Sequence, residues 1–248
     1  MAKASIGFIA TLLLLSFVTK AVYADWSIDI ESGLAFSGYN DVRIPGNTGT
    51  NISLSRDLDA ENTEFVRVRL AVDLGDRHRL SFLYAPLQFE SSGTVDREVH
   101  FNGARFAAGV PLNSLYRFDS YRVTYHYTLI NKERITAGIG FTGKVRDAAI
   151  LIESADTSSE KTNTGFVPLI NFALDWSFTS KLGLLIEGDA LAAPQGRAED
   201  VLVAVYGHPS NKLRLRLGYR VLEGGADNDE VYTFALIHYL SAGVSWTI

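Results

Sequence analysis

The sequence predicts an all-β fold, and three patterns lead to that prediction. Apolar residues recur at every second position through much of the chain, which is the spacing of side chains on one face of a strand. Short turns alternate with long polar loops. After the first 24 residues, no apolar run approaches the roughly 20 residues that a helical membrane span needs. These patterns favour a transmembrane antiparallel up-and-down β-barrel of about ten strands, with about eight or twelve as alternatives.

The first 24 residues have the character of a secretory signal peptide. Lys3 precedes an apolar run of about 13 residues, from Ile6 to Val18, which is too short to span a bilayer as a helix. Small residues end this stretch at Ala24, where a signal peptidase can cleave. The predicted mature chain is therefore a single domain of residues 25–248.

Charge and cysteine content exclude several kinds of function. The whole chain has 23 basic and 28 acidic residues, and loss of Lys3 and Lys20 with the leader makes the balance more acidic. Nucleic-acid binding is not expected, because it needs a cationic surface. The chain has no cysteine, so disulfides, thiolate chemistry and cysteine-based zinc sites are excluded. We expect no metal and no other cofactor.

The predicted strands follow one another as hairpins. They cover residues 26–37, 66–74, 80–84, 120–129, 135–146, 166–178, 182–189, 201–205, 213–220 and 230–248. Short turns are expected at 75–78, 131–133, 179–181 and 209–211, and polar loops at 40–62, 90–115, 154–164, 193–197 and 223–229. Each short turn thus follows an even-numbered strand and each long loop follows an odd-numbered one. That regular order is more specific than the pattern of any single strand.

The last strand resembles the terminal strand of bacterial outer-membrane β-barrel proteins. Its apolar face carries Leu240, Val244, Trp246 and Ile248, while Ser241, Gly243 and Ser245 lie on the other face. In that family the barrel-assembly machinery recognises this ending, although the usual last residue is Phe and here it is Ile248. The resemblance implies a monomer in the outer membrane of a Gram-negative bacterium. It also implies outer-membrane lipids, lipopolysaccharide and the assembly machinery as partners.

The same resemblance orients the chain. In outer-membrane barrels the short turns are periplasmic, the long loops are external, and the strand number is even. Residues 90–115 are therefore interpreted as an external excursion with a hairpin of its own, because one more span would make the total odd. In the external loop before residue 201, Arg197 is expected to pair with Glu199, Asp200 or Glu223.

If the apolar faces meet lipid, the opposite faces of the strands meet in the lumen. The residues predicted to line it are Arg67, Arg69, Asp73, Arg122, His126, Lys144, Arg146, Asp175, Glu187, Asp189, Arg214, Arg216 and Arg220, with Asp29 and Glu31 beside them. About eight strands enclose only enough space for side chains, whereas aqueous pores need about 16. We therefore expect these charges to pair and to plug the lumen, since unpaired buried charges are costly.

A plugged barrel is expected to have a structural or surface-interaction role. The first alternative is a narrow channel for small anionic solutes, lined by Arg214, Arg216 and Arg220. The second alternative, which is the main rival from another functional class, is an outer-membrane enzyme acting on lipid A or on peptides, and it is less favoured than the structural role. No catalytic residue is assigned.

Two enzyme families provide the comparison for that second alternative. Lipid A deacylases carry a histidine and a serine two residues apart on one strand, whereas His238 and Ser241 are three apart. They fall on opposite faces unless a bulge intervenes. Because strict alternation would turn His238 towards lipid, either a bulge or a position near the membrane edge is expected there. Ten-stranded surface proteases place acidic pairs and a His–Asp pair at the external rim, but His100 is the one histidine in the long loops. His126 is interpreted as a hydrogen-bonded lumen residue.

Overall fold

The computed structural model describes residues 24–194 and 196–248. The long strands are β1 (Ala24–Arg43), β4 (Thr63–Leu74), β5 (His78–Ala85), β9 (Pro111–Asn131), β10 (Ile135–Glu153), β11 (Ser158–Ser177), β12 (Leu182–Ala193), β13 (Gly196–Ser210), β14 (Leu213–Asp227) and β15 (Tyr232–Thr247). The short strands are β2 (Ile52–Ser53), β3 (Asp59–Ala60), β6 (Gln88–Thr94), β7 (Val99–Phe101) and β8 (Ala104–Phe106). The predicted signal peptide lies outside the described residues except for Ala24, which begins β1.

The ten long strands close into a barrel. Their order is β10-β11-β12-β13-β14-β15-β1-β4-β5-β9, and β9 returns to pair with β10. All of these pairings are antiparallel, including that between β15 and β1, the last and first strands of the barrel. The prediction of an all-β, ten-stranded up-and-down barrel is thus confirmed. Closure pairs both edges of the sheet, which is how a β-structure satisfies its backbone groups in lipid.

The outer face of the barrel is covered by exposed apolar side chains. Examples from around the barrel are Ile30, Leu70, Phe82, Val123, Phe141, Ile170, Val203, Leu217 and Leu240, which are 43–55% exposed except for the more exposed Leu217 at 65%. A continuous apolar surface of this size is unfavourable in water and fits the lipid-facing band of a membrane barrel. Among the described residues, no helix has the length and apolar character to cross a bilayer.

Several strands are longer than the sequence predicts, mostly at the external end. The predicted loop at 40–62 begins inside β1, which runs to Arg43. The predicted loop at 154–164 shrinks to residues 154–157, because β10 and β11 continue to pair up to Glu153 and Ser158. Likewise, β14 continues to Asp227 and β13 begins at Gly196. Beyond the lipid both faces of a strand meet water, so these extensions need no apolar alternation and resemble loops in sequence.

The external segments 44–62 and 86–110 fold together into a cap on the barrel mouth. Backbone hydrogen bonds join the two segments, from Thr50 N to His100 O at 2.9 Å and from Asn102 N to Ile44 O at 2.8 Å. The cap core consists of Ile44, Ile52, Leu54, Leu58, Leu87, Phe89, Val95, Val99, Phe101 and Phe106, packed on inward-facing barrel residues. The excursion predicted at 90–115 therefore contains the expected hairpin, formed by β7 and β8, although its last residues belong to β9.

Candidate functional site: the barrel lumen

The structure places every charged residue predicted for the lumen on an inward strand face, at one of three levels. Arg67, Arg122, Asp189, Arg216 and Arg220 lie in a buried middle layer, Arg69, Asp73, His126, Asp175, Glu187 and Arg214 lie towards the periplasm, and Lys144 and Arg146 lie on the external side. The strand alternation that turns apolar residues to lipid turns these side chains inward.

The middle layer is a network of seven buried charged residues, which we call the ionic layer. Its members are Glu31, Arg67, Arg122, Asp189, Asp200, Arg216 and Arg220, and their exposed fractions lie between 2% and 5%. They come from six strands around the barrel, namely β1, β4, β9, β12, β13 and β14. Because the contributing strands surround the lumen, their side chains meet across it and fill its cross-section.

Asp200 is the centre of the ionic layer. Its Oδ2 accepts hydrogen bonds from Arg67 Nη2 at 3.0 Å and Arg122 Nη2 at 2.6 Å. Its Oδ1 accepts one from Arg220 Nη1 at 2.6 Å. One carboxylate thus contacts three guanidinium groups, and each contact is a charge-assisted hydrogen bond in a region shielded from water.

Glu31 is the second acidic centre. Arg220 donates to both of its carboxylate oxygens, from Nε at 2.9 Å and Nη2 at 2.8 Å, in the bidentate geometry that arginine favours. Ser241 Oγ donates to the same carboxylate at 2.9 Å, and Arg216 Nη2 lies 3.3 Å away. Glu31 therefore links the first strand of the barrel to β14 and β15.

Asp189 completes the layer on the opposite side. It accepts hydrogen bonds from Arg122 Nη1 at 2.8 Å, from Thr142 Oγ1 at 2.7 Å and from Asn171 Nδ2 at 2.9 Å. With these bonds, each carboxylate of the layer has several donors, which is the condition under which buried charges are tolerated.

Asp200 corrects the sequence prediction. The sequence predicts an external position for Asp200, as one of three candidate partners of Arg197, but Asp200 lies in β13 with 2% exposure, and Arg197 pairs with another of the three, Glu223, at 2.7 Å. The reason is that β13 begins earlier than predicted, at Gly196. Leu202 is buried, and residues two apart on a strand share a face, so Asp200 also points inward. The charged residues around Asp200 make this part of the strand resemble a loop in sequence.

On the periplasmic side, the ionic layer borders a polar vestibule of about 380 Å³. Arg214 pairs there with Asp175 at 2.8 Å, and Asp73 pairs with Arg79 at 2.7 Å. His126 Nδ1 lies 2.7 Å from Asn171 Oδ1 and so contacts the layer through an amide. The arginines considered for an anion channel are therefore neutralised, since Arg216 bonds to Asp29 at 2.8 Å and Arg220 to Glu31.

His238 and Ser241 lie on opposite faces of β15. Ser241 points inward to Glu31, whereas His238 points outward, where its Nδ1 lies 2.6 Å from Tyr219 Oη and its ring stacks on Phe36 at 5.3 Å. The bulge considered for His238 is instead in the neighbouring strand β1, between Ser37 and Tyr39. The hydroxyl of Tyr219 gives the outward histidine its polar partner, so β15 keeps its alternation.

The external histidine, His100, contacts a carboxylate, and the predicted assembly residues of the terminal strand lie on the outer face. His100 is paired with Glu98 at the β7–β8 hairpin, where both of these side chains are exposed. The predicted assembly residues all lie on the outer face, with exposures of 55% for Leu240, 45% for Val244, 58% for Trp246 and 71% for Ile248. Ile248 N donates to Trp26 O at 2.8 Å, so the final residue remains bonded to β1.

Comparisons with known proteins give similarity in fold and none in sequence. No protein-family model matches the chain, and no curated protein matches it. The outer membrane protease OmpT of Escherichia coli is 8% identical, with a TM-score of 0.60 over 90% of this chain and 97% of that chain. Ail of Yersinia pestis is 9% identical over 90% and 99%, with a TM-score of 0.40. The translocator domain of NalP from Neisseria meningitidis is 12% identical over 90% and 87%, with a TM-score of 0.43.

The likeness to OmpT concerns the barrel, since 8% identity carries no information on activity. It agrees with the strand number and closure found in this chain. The closed ten-stranded fold is that of the bacterial outer-membrane β-barrel proteins, and the exposed apolar outer face fits a position in that membrane.

Proposed function

We propose that this protein is a non-conducting barrel of the Gram-negative outer membrane that presents an ordered external cap for contacts at the cell surface. The ionic layer is the observation that carries this proposal. Its seven residues are each 5% exposed or less, which leaves ions no continuous aqueous path through the middle of the lumen. The cap core adds a second, apolar obstruction above it.

An ordered cap supports the surface role. Asn102 Nδ2, at the tip of the β7–β8 hairpin, donates to Glu160 O of β11 at 2.7 Å, so the cap is fastened to strands beyond its own segments. Arg56 bonds to both oxygens of Asp41 at 2.9 and 2.8 Å. A surface held in one shape loses little conformational entropy on binding, which favours recognition.

We also propose lipopolysaccharide as a partner at the external edge of the barrel wall. Two arginines there lie over outward aromatic rings, Arg43 at 4.8 Å from the Tyr232 centroid and Arg197 at 4.8 Å from the Phe234 centroid. In each pair the guanidinium group can contact an anionic group of the lipid head, and the aromatic ring can contact its apolar part. Recognition of the β15 ending by the barrel-assembly machinery and a monomeric state complete the proposal.

Single-channel recording in planar bilayers tests the closed lumen. The wild-type barrel is expected to insert without producing steady ionic current. The double variant Arg122→Ala/Asp189→Ala removes a pair together, so that neither member is left without the other, and it is expected to give at most brief, small openings. Arg214→Ala is the matched control, because its pair with Asp175 lies in the vestibule outside the ionic layer. Steady current through the wild type contradicts the proposal.

The cap is also expected to loosen in acid. Partial burial would by itself raise the pKa of Asp57, but Ser53 N at 2.9 Å and Arg97 Nη2 at 2.6 Å bond to this carboxylate and hold its pKa below the usual value. The resulting stabilisation, about 1 kcal/mol or less for a pair this exposed, is complete above the unfolded pKa of about 3.9. It is lost as the pH falls through the lowered folded value.

Hydrogen exchange of residues 53–58, corrected for intrinsic rates, measures this effect. Wild type is expected to be better protected than Asp57→Asn at neutral pH, and the difference should vanish in acid. A difference that persists after Asp57 is protonated argues against the carboxylate as its source.

A further inference from the structure

The wall of the barrel has a break between β11 and β12 on its external side. The ladder between these strands ends at the pair Ile170–Ala190, although β11 extends back to Ser158 and β12 continues to Ala193. Both strands keep their other neighbours, since β11 pairs with β10 as far as Ser158 and β12 pairs with β13 as far as Ala193. In the described part of the chain, no residue of β11 before Ile170 pairs with β12.

The residues that border the break are exposed. Phe166 is 67% exposed, and Leu191, which lies on an inward face by strand alternation, is still 37% exposed. Pro168 lies beside the last pair and has no backbone N–H to donate to a neighbouring strand. An inward residue so exposed indicates that the interior communicates with the outside at this point.

Behind the break lies a cavity of about 420 Å³ on the external side of the ionic layer. Tyr116, Phe118, Leu222 and Ile237 line it from three other strands, and Val167 and Leu191 line it at the break. Its size falls within the ~300–1,000 Å³ of typical small-molecule sites, which are also mainly apolar with a few polar groups.

Two cations point into this mostly apolar cavity. Lys144 is 3% exposed, and its ammonium lies 4.6 Å from the centroid of the Phe118 ring. Arg146 donates to the Asn163 amide oxygen, and its buried Nε has no hydrogen-bond partner. Among residues 24–194 and 196–248, no carboxylate forms an ion pair with either side chain. A buried cation such as Lys144 is normally paired. Arg197 and Glu223 also line the cavity, but they pair with each other at 2.7 Å. Lys144 and Arg146 therefore leave a local excess of positive charge beside the apolar walls.

We propose that this cavity binds a single-chain amphiphile with an anionic head, a fatty acid or a lysophospholipid, which enters from the membrane through the β11–β12 break. The head lies against Lys144 and Arg146, and the acyl chain follows the apolar wall towards Phe166 and Leu191. The charge of the head supplies the partner that the two cations lack. The proposal does not depend on the surface role of the cap, and it is compatible with a closed lumen because the path is lateral.

The first experiment measures the choice of head group by the full barrel in neutral maltoside micelles. Dansyl-labelled undecanoic acid is expected to bind about ten-fold more tightly than its uncharged methyl ester, a difference of about 1.4 kcal/mol. Lys144→Met, which exchanges a buried cation for an apolar side chain and should be tolerated, is expected to bind acid and ester equally. Arg214→Gln, altered in the periplasmic vestibule, should keep the preference. Equal binding of acid and ester by wild type, or an unchanged preference in Lys144→Met, overturns the proposal.

Competition identifies the source of the ligand. Unlabelled laurate and lysophosphatidylglycerol are each added to the complex with the labelled acid. The stronger competitor is the class that the site takes, and failure of both to displace the probe overturns the proposal.

The second experiment tests the route. Because the chain has no native cysteine, Leu191→Cys gives a single thiol at the break that can be blocked with a bulky methanethiosulfonate reagent. Blocking is expected to weaken binding of the labelled acid at least about ten-fold, and a reductant should restore it. Val203→Cys, on the lipid face of β13 and 45% exposed, is the matched control and should be insensitive. Full binding by the blocked Leu191→Cys protein rules out entry at the break.

Discussion

Replacing Asp200 with alanine is expected to lower the free energy of unfolding by about 3–5 kcal/mol, the usual cost of removing one partner from a buried ion pair. The physical reason is that Arg67, Arg122 and Arg220 all bond to this one carboxylate. Without it, three guanidinium groups remain in a region that water does not reach. Urea titration of the refolded barrel in detergent, followed by tryptophan fluorescence, measures the loss.

The neighbouring Glu199→Ala is the matched control. Glu199 is one residue away in the same strand, on the exposed outer face, and its removal should change stability little. If both variants unfold at the same urea concentration, Asp200 does not stabilise the barrel in the way proposed.

Gly33→Ala is expected to have the next largest effect, a loss of at least about 2 kcal/mol. Gly33 has a φ of +150°, and a Cβ built on it would lie 2.0 Å from Leu240 O, a backbone atom of β15. Since a backbone carbonyl cannot rotate aside, the pairing of β1 with β15 must shift. The shift would move Phe65 and Tyr239, whose rings meet nearby at 4.8 Å.

Gly207→Ala provides the comparison for this substitution. A Cβ at Gly207 would lie 3.5 Å from Leu182 Cδ2, an ordinary contact with a movable side chain. The same urea titration should show it close to wild type. Equal stability of Gly33→Ala and Gly207→Ala would mean that the strands absorb the added methyl group without cost.

The membrane-spanning part of the fold could be predicted because lipid on one side and a filled lumen on the other impose an alternation of two. That constraint gives Arg67, Arg122 and Arg220 their inward direction without knowledge of the partners. It does not apply above the membrane, and for this reason the extensions of β10 and β11 resembled a loop. The cap was missed for a related reason, since Ile52, Leu54 and Leu58 are isolated among polar residues and their packing depends on distant segments.

The partners within the ionic layer could not be deduced from sequence, because they depend on which strands lie across the lumen from one another. Asp200 illustrates the difficulty, since only the start of β13 decides whether it is a loop residue or the central carboxylate. The β11–β12 break left one trace in the sequence, Pro168, which cannot donate to a strand ladder. Proline alone does not distinguish a break from an ordinary strand edge.

The ionic layer also favours closure of the barrel in the correct strand register. Glu31 and Arg220 are 189 residues apart in the chain, so their bond forms only when the first and last parts of the chain have met. A slip of one residue in β1 would turn Glu31 towards lipid and leave Arg220 without this partner. Misregistered barrels therefore expose carboxylates to lipid and bury arginines without partners. Both errors cost free energy, so the favoured register is the single one in which the β1–β15 pairing and the ionic layer form together.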